Sequence, residues 1–436
     1  MAPVSISRIG IGIDVRRTYK KGGGVVVPTN FQVVTTYNGL ASVKYPGTTG
    51  GRTDVQLQMR SGHYLGAAGV KRWKIGQGAY VAPQNNNNGD QAVGNSFNYE
   101  AALERVTGGA LNSHAQFSGV NTVTVADNAA LVLSDEFALD VVGDDEIFSR
   151  QGIIVGAATQ NFPQSVRSGQ DGTRVLSPAT ASQIGGTGAL TTPGGGTTTS
   201  VAAWPLVLGV PDKPQMAVLV IGHSIAEGQG ETSVPNGTSN SGPYRRAFWN
   251  VDGHHIPFDF HAVSGRSFAG YTPTTSPNTR SRWPYCTHAI IDLARNSMGL
   301  GIAGLKAATV DLINELRATI GPYGKRLHIS VTCPIPSTAS SNWIDAASQN
   351  PNAGFENGGT RDQYVAWIKG FCDGLIDDYI DYSSVVEDPA DHTKFLTNGT
   401  ANWPTTDGTH PTSNLYGPMS GVVADWVRRQ VPIPAF

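Results

Sequence analysis

The sequence predicts two units. Residues 1–200 read as an all-β sandwich or jelly roll, 201–213 as a linker, and 214–436 as an α/β unit with a parallel sheet covered on both faces. Three observations carry this. At 436 residues the chain is too long for one ordinary core. Its first two hundred residues hold short alternating apolar runs separated by Gly, Asn, Asp and Pro clusters, the pattern of antiparallel strands and turns. Beyond residue 214, strand-like runs alternate with helical ones, as a parallel sheet with crossover helices requires.

In the first unit, the strand candidates are "GVVVP", "FQVVTTY", "TDVQLQM", "NTVTVA", "ALVLS", "FALDVV" and "GIIVGA". Only "YEAALERVTGGAL", 99–111, predicts a helix, ended by Gly108-Gly109. The run from Asn85 to Asp90 is rich in oxygen donors but lacks the acidic spacing of a calcium loop, and reads as a solvated turn; the acidic trio Asp144-Asp145-Glu146 reads the same way. Residues 185–200, nearly all Gly, Thr, Ala, Ser and Pro, suit a flexible loop or linker.

In the second unit, strands are expected at 217–221, 257–263, 288–293, 326–333 and 383–387. A helix over 303–320 places Leu305, Leu312, Ile313, Leu316 and Ile320 on one stripe and stops at Gly321-Pro322. A second, over 361–380, opens with capping-box spacing at Thr360 and Gln363 and buries Tyr364, Ile368, Phe371, Leu375 and Tyr379. A final helix is placed at 416–429.

Composition narrows the function. Charged residues make up 15 %, below the roughly 25 % usual for soluble domains, and 53 glycines mark a turn-rich chain. With net charge −2 and no basic run beyond short pairs, nucleic acid is not an expected partner. No apolar stretch approaches the ~20 residues of a membrane span, and the N-terminus has no signal-peptide pattern. Cys286, Cys333 and Cys372 lie far apart and read as small buried hydrophobes. His254, His255 and His261 lack an acidic partner at ligand spacing, so neither a metal nor a cofactor is expected.

One constellation carries chemistry. A serine hydroxyl becomes a useful nucleophile only with a base in reach, an orienter for that base, and donors for the oxyanion it creates. "AVLVIGHSIAEGQGE" puts Ser224 on the turn after a buried strand. "FDFHAVSGRSFAGY" puts Gly265, a backbone donor, after the next strand, and "AIIDLARNSMG" puts Asn296, a side-chain donor, after the third. "TTDGTHPTSNLYG" places Asp407 three residues before His410, so that one loop can hold base and orienter. Ser267, in "GRSFA", is a rival nucleophile that would leave "GHSIAEG" without a role.

Across 214–430 this joint pattern resembles the SGNH hydrolase superfamily, the GDSL-like esterases and lipases. Gly222-His223-Ser224-Ile225-Ala226-Glu227-Gly228 is similar to the first block, Gly-Asp-Ser-x-x-x-Gly; Gly265 matches the second-block glycine, Asn296 the third-block asparagine, and Asp407 with His410 the fifth block, Asp-x-x-His. The resemblance implies a three-layer αβα sandwich with a flavodoxin-like parallel sheet of about five strands. It also implies Ser224 as nucleophile, His410 as base, Asp407 as its orienter, and an oxyanion hole from the Ser224 and Gly265 amides and Asn296. Two positions depart from the pattern: His223 stands where the family has Asp, and Ala294-Arg295-Asn296-Ser297 replaces Gly-x-Asn-Asp. Neither removes a group that touches the proton or the oxyanion.

The implied reaction is hydrolysis of short-chain, above all acetyl, esters. The β-rich first unit resembles the carbohydrate-binding or jelly-roll partners of carbohydrate esterases, which points to O-acetyl groups of a polysaccharide, with a small ester as the other substrate class. Trp73, Tyr80, Trp249, Tyr271, Trp283, Tyr285, Trp343 and Trp403 are candidate sugar-stacking faces or packing residues. The alternatives are a phage-tail or other structural protein with a weak or inactive hydrolase unit, and a lipase or thioesterase for longer chains. An extracellular-looking composition without an export signal fits an extracellular or virion-associated protein, in a homo-oligomer or virion assembly, with a cytoplasmic location as the other reading.

Overall fold

The computed structural model describes residues 30–49, 51–85, 87–165, 172–198, 204–231 and 242–430; the expected strand "GVVVP" falls outside them. Two antiparallel sheets make up most of the first half. One contains Gln32–Val33, Val70–Gln77, Val132–Leu133, Phe137–Val141 and Leu206–Pro211; the other is built around Gln56–Tyr64, Phe97–Arg105 and Glu146–Ile154. Alternate residues of both sheets meet in one apolar core, with Leu57, Met59, Trp73, Ile75, Tyr99, Leu103, Ile147 and Ile153 in a single cluster. Each fully buried Leu, Ile or Met side chain among them contributes about 1.5–3 kcal/mol relative to exposure.

Residues expected to be helical at 99–111 are instead the strand Phe97–Arg105, a hairpin turn at Gly108-Gly109, and the strand Leu111–His114. The helix-forming run Glu100-Ala101-Ala102-Leu103-Glu104 lies between two neighbouring strands, with Tyr99 opposite both Val123 and Ile153. Pairing on both edges and burial of both faces from Tyr99 to Glu104 outweigh a helix preference of a few tenths of a kcal/mol per residue.

The Gly/Thr-rich stretch is tied down over residues 185–198, its last two residues lying outside the described ones. Buried Arg150 donates to Gly188 O at 2.6 Å and Gln183 O at 2.7 Å, Glu104 accepts from the Gly188 amide at 2.7 Å, and Thr197–Thr198 pairs with Val175 and Leu176. Within the expected linker, Leu206–Pro211 is a strand paired with Val70–Ile75 and Gly76.

The second half contains a parallel sheet in the order Asn38–Gly39, Phe258–Phe260, Val218–Gly222, His288–Asp292, His328–Thr332 and Asp378–Ile380. Its edge strand comes from the first half. Val33, Leu206 and Leu208 also join the core cluster of the second half, beside Phe268, Tyr271 and Trp283, so the two halves share packing.

Successive residues of the central strand point to opposite faces. Leu219 and Ile221 pack with Leu305, Leu312 and Leu316 of the helix Gly301–Ala318 and with Tyr364 and Ile368 of Thr360–Lys369. Val218 and Val220 pack with Tyr244 and Phe248 of Gly242–Trp249 and with Leu415, Met419, Val423 and Trp426 of Ser413–Arg429. The result is three layers, helices on both faces of the sheet.

Two expected elements change. The helix over 361–380 ends at Lys369: Phe371, Cys372 and Asp373 have φ of 58°, 48° and 59°, and the chain turns into the edge strand Asp378–Ile380. The strand expected at 383–387 is a helical turn, Ser383–Val386. Thr360 and Gln363 form no capping box; Gly359 occupies the N-cap without a side-chain bond.

Strand order reverses around Val218–Gly222, because the next strand lies on one side of it and the following strand on the other. At such a point the loops leaving the carboxyl ends diverge and open a crevice. Ser224, Gly265 and Asn296 sit on the three loops that leave these three adjacent strands.

Candidate functional site

Ser224 begins the short helix Ser224–Glu227, directly after the buried run Val218–Gly222. It is 5 % exposed, and its Oγ lies 2.8 Å from His410 Nε2. His410 Nδ1 lies 2.7 Å from Asp407 Oδ2. A carboxylate only accepts, so the imidazole proton sits on Nδ1 and Nε2 is free to accept from the serine hydroxyl.

The loop carrying the pair is held from several directions. Asp407 Oδ1 accepts from the amides of Thr409 and His410, each at 2.8 Å, and from Thr405 Oγ1 at 3.3 Å. Burial works to raise the Asp407 pKa, but hydrogen bonds from the His410 ring and from these two amides outweigh it and hold the carboxyl well below the usual range. Asp407 therefore stays an anion wherever its neighbours hold. Thr412, two residues past His410, caps the helix Ser413–Arg429 by accepting from the Asn414 amide, which fixes the end of the loop against the core.

The Ser224 and Gly265 amides have no hydrogen-bond partner among the described residues. Gly265 has φ of 78°, in the left-handed region that favours glycine. Asn296 Nδ2 donates to Arg266 O at 2.9 Å, which uses one of its two amide hydrogens and leaves the other. Asn296 and Ser267 line an open cleft of about 740 Å³ with Phe268, Thr272, Leu300 and Glu315. No described histidine bonds the Ser267 hydroxyl, whereas Ser224 has His410.

His223, the departure in the first block, has a defined task. It is 1 % exposed, and Nδ1 accepts from the Ile225 amide at 3.2 Å as the N-cap of the Ser224 helix. Its proton is thereby placed on Nε2, which faces Asp292 Oδ1 at 3.5 Å. Tyr244 OH donates to Asp292 Oδ2 at 3.0 Å and shares a 2.7 Å bond with Thr332.

Burial, with help from the nearby Arg295 and His410, pushes the His223 pKa down to about 3. Burial pushes Asp292 up to about 6 against the pull of Tyr244 and Arg295. The depressed histidine contributes stability that is present above its ordinary 6.5 and lost as pH falls towards about 3. The raised carboxyl contributes stability that is present below its ordinary 3.8 and lost as pH rises through about 6. Between those limits the two oppose each other.

His223→Asn keeps an N-cap acceptor and deletes the histidine's share. Relative to the parent, it is expected to be favoured more at pH 4 than at pH 5, and more at pH 5 than at pH 6.5, where the histidine's share is fully present in the parent. Urea unfolding at pH 4, 5 and 6.5 measures this; a stability difference independent of pH would refute it.

Sequence reasoning missed three parts of the site. Arg295 is buried, donates to Pro336 O at 3.0 Å and Ser337 Oγ at 2.8 Å, and is lowered to about 10 by burial, with Asp407 its foremost attracting charge. Glu227 accepts from the Ser264 amide at 2.9 Å and from the Ser264 hydroxyl, and from Gln84 Nε2 at 3.2 Å. Asn85, Asn87 and Gly89, from the run expected to be a solvated turn, bond to the Gly265 turn. Glu227 and Arg295 lie inside the first and third blocks of the motif, where their charge is a readable signal, whereas nothing in the Asn-rich run signals its contact, which only the fold brings about.

Two of the three histidines that lack an acidic partner at ligand spacing in the sequence find acids in the fold: His254 pairs with Asp144 at 2.7 Å and His261 with Asp259 at 2.8 Å, with Arg282 bidentate on Asp259. Asp144 is thus a partner of the second half, not a free turn residue. Among the described residues no three His, Cys, Asp or Glu side chains converge as a metal site. Of the aromatic candidates, Trp73, Tyr80, Tyr271, Trp283 and Trp343 are buried in packing. No helix among the described residues is long and apolar enough to cross a membrane.

No protein-family model matches the chain, and comparison with curated proteins finds no match. Solved structures do match. A family two carbohydrate esterase from Clostridium thermocellum, in complex with cellohexaose, is 13 % identical, with 91 % of this chain and 99 % of that chain covered and a TM-score of 0.34. Est24, a carbohydrate acetylesterase from Sinorhizobium meliloti, is 16 % identical over 49 % of this chain and 99 % of its own, with a TM-score of 0.33. The aryl esterase of M. smegmatis is likewise 16 % identical, over 49 % of this chain and 98 % of its own, at 0.33.

Proposed function

We propose that the chain is a serine esterase of SGNH type that hydrolyses short acyl esters, acetyl first, carried by a polysaccharide. The observation that carries this reading is the Ser224 Oγ to His410 Nε2 to Asp407 line, at 2.8 Å and 2.7 Å, together with the Ser224 and Gly265 amides, which have no partner among the described residues. Ser224 Oγ attacks the ester carbonyl while His410 Nε2 takes its proton. The carbonyl oxygen gains the negative charge and is met by the amides of Ser224 and Gly265 and the remaining hydrogen of Asn296 Nδ2. Collapse breaks the bond to the alcohol, which leaves with the proton from His410. Water then adds to the acyl-enzyme by the same route in reverse, releasing the acid and free serine.

Support for a sugar as leaving group comes from the cleft on the Asn296 side of the site, which is within the ~300–1,000 Å³ usual for ligand pockets. In this reading the antiparallel half is a sandwich or jelly roll whose place is against the polysaccharide, and the charge-poor composition suits work outside the cell or on a virion. A p-nitrophenyl ester series from acetate to laurate tests the acyl preference. Activity should be highest on acetate and fall with chain length; a rise towards laurate would replace this reading by a lipase or thioesterase.

A further inference from the structure

We infer that Gln84, Asn85 and residues 87–90 of the antiparallel half position the turn that carries the Gly265 amide, with Asn87 as the principal positioning residue. This deepens the esterase reading and, for its catalytic consequence, rests on it. The turn Ser264–Ser267 is held by backbone and side-chain bonds at nearly every position, and most of them come from outside its own strand.

Ser264 O accepts from the Asn85 amide at 2.8 Å. The Ser267 amide donates to Asn87 Oδ1 at 2.9 Å. Arg266, fully buried, donates through Nη2 to Gly89 O at 2.8 Å. Asp90 anchors the far end of the loop by accepting from Thr279 N at 2.7 Å and Thr279 Oγ1 at 2.6 Å. Gln84 reaches Glu227, the carboxylate that also binds Ser264, and so links the loop to the helix that begins at Ser224.

Gly265 sits at the centre of this clamp. Among the described residues its own amide has no hydrogen-bond partner, between the bonded Ser264 and Ser267 amides. An amide aimed at an oxyanion must not relax when charge develops, and a donor displaced by about 1 Å can cost 10²-fold in rate. The loop therefore supplies rigidity from a part of the chain nearly two hundred residues away, and the antiparallel half is a working part of the site, not a detachable accessory.

Asn87 is exposed, so its replacement is not a core mutation. Asn87→Ala removes the acceptor for the Ser267 amide, and Asn87→Asp retains an acceptor oxygen at the same atom. The test measures kcat and KM for p-nitrophenyl acetate, together with amide hydrogen exchange of a peptide spanning 263–268, in the full chain. Asn87→Ala is expected to lower kcat by about tenfold with KM nearly unchanged, the equivalent of roughly 1.4 kcal/mol, and to speed exchange in that peptide. Asn87→Asp should restore both. Parent-like kcat and exchange in Asn87→Ala, or a change confined to KM, would overturn the positioning role. If the parent hydrolyses no ester, the esterase reading fails on its own, and exchange still decides the clamp: unchanged exchange in Asn87→Ala would overturn it.

Discussion

Ser224→Ala is expected to reduce hydrolysis of p-nitrophenyl acetate, and acetate release from acetylated polysaccharides, by about 10⁴-fold or more. The substitution deletes one oxygen whose hydrogen bond goes to His410, and the His410 loop is held separately through Asp407 and Thr412, so the fold keeps its other contacts. What it removes is the atom 2.8 Å from His410 Nε2, without which the imidazole has no proton to take and no acyl-enzyme can form. Because the three residues act as a unit, His410→Ala should cost about as much, and the double variant little more than either. A fluorophosphonate probe should label the parent at Ser224 and leave Ser224→Ala unlabelled. Activity of Ser224→Ala within tenfold of the parent, with near-UV circular dichroism unchanged, would remove Ser224 as the nucleophile and would reopen a structural or binding role for the chain.

The parts of the site legible in the sequence are those whose signal is local. A buried run that stops at Gly222-His223-Ser224 announces a strand end, and an Asp three residues before a His announces one loop holding both. Those residues do meet: Ser224, His410 and Asp407 form one hydrogen-bonded line. The helix over 301–318 was readable for the same reason, since its stripe of Leu305, Leu312, Ile313 and Leu316 repeats at helical spacing. Where a partner distant in sequence decides the outcome, local reading fails. Phe97–Arg105 is a strand because it has neighbours on both edges, and the tail of the expected 361–380 helix is a strand because the sheet edge beside Ser330–Thr332 receives it. The Asn-rich run has the composition of a solvated turn, yet its amides and carbonyls complete the turn at Gly265. Nothing within the run encodes that contact; it arises when the Asn38–Gly39 strand joins the parallel sheet and Val33, Leu206 and Leu208 enter the shared core.

Gly265→Ala tests the other half of the proposed chemistry, the oxyanion donors, and should have the second largest effect. At φ of 78° an alanine is strained before any neighbour is considered. Its Cβ would lie 2.5 Å from Asn85 Cα and 2.9 Å from Asn85 N, and these are backbone atoms that no rotamer change can withdraw. Either the Ser264–Ser267 turn or the Asn85 loop must shift, and the bond from the Asn85 amide to Ser264 O lies directly in the way. A shift of the turn displaces the Gly265 amide directly, and a shift of the loop removes bonds that hold the turn in place. Loss of one such donor costs about 10²–10³-fold in kcat, and KM should change far less because the cleft by Asn296 lies on other residues. Fluorophosphonate labelling should slow in parallel, since the phosphoryl oxygen of the probe uses the same donors. Gly421→Ala, on the helix Ser413–Arg429 with nothing near its added carbon, is the matched control and should retain parent activity. If Gly265→Ala keeps parent kcat while folding normally, the Gly265 amide is not an oxyanion donor, and the hole must be built from Ser224, Asn296 and a group not yet assigned.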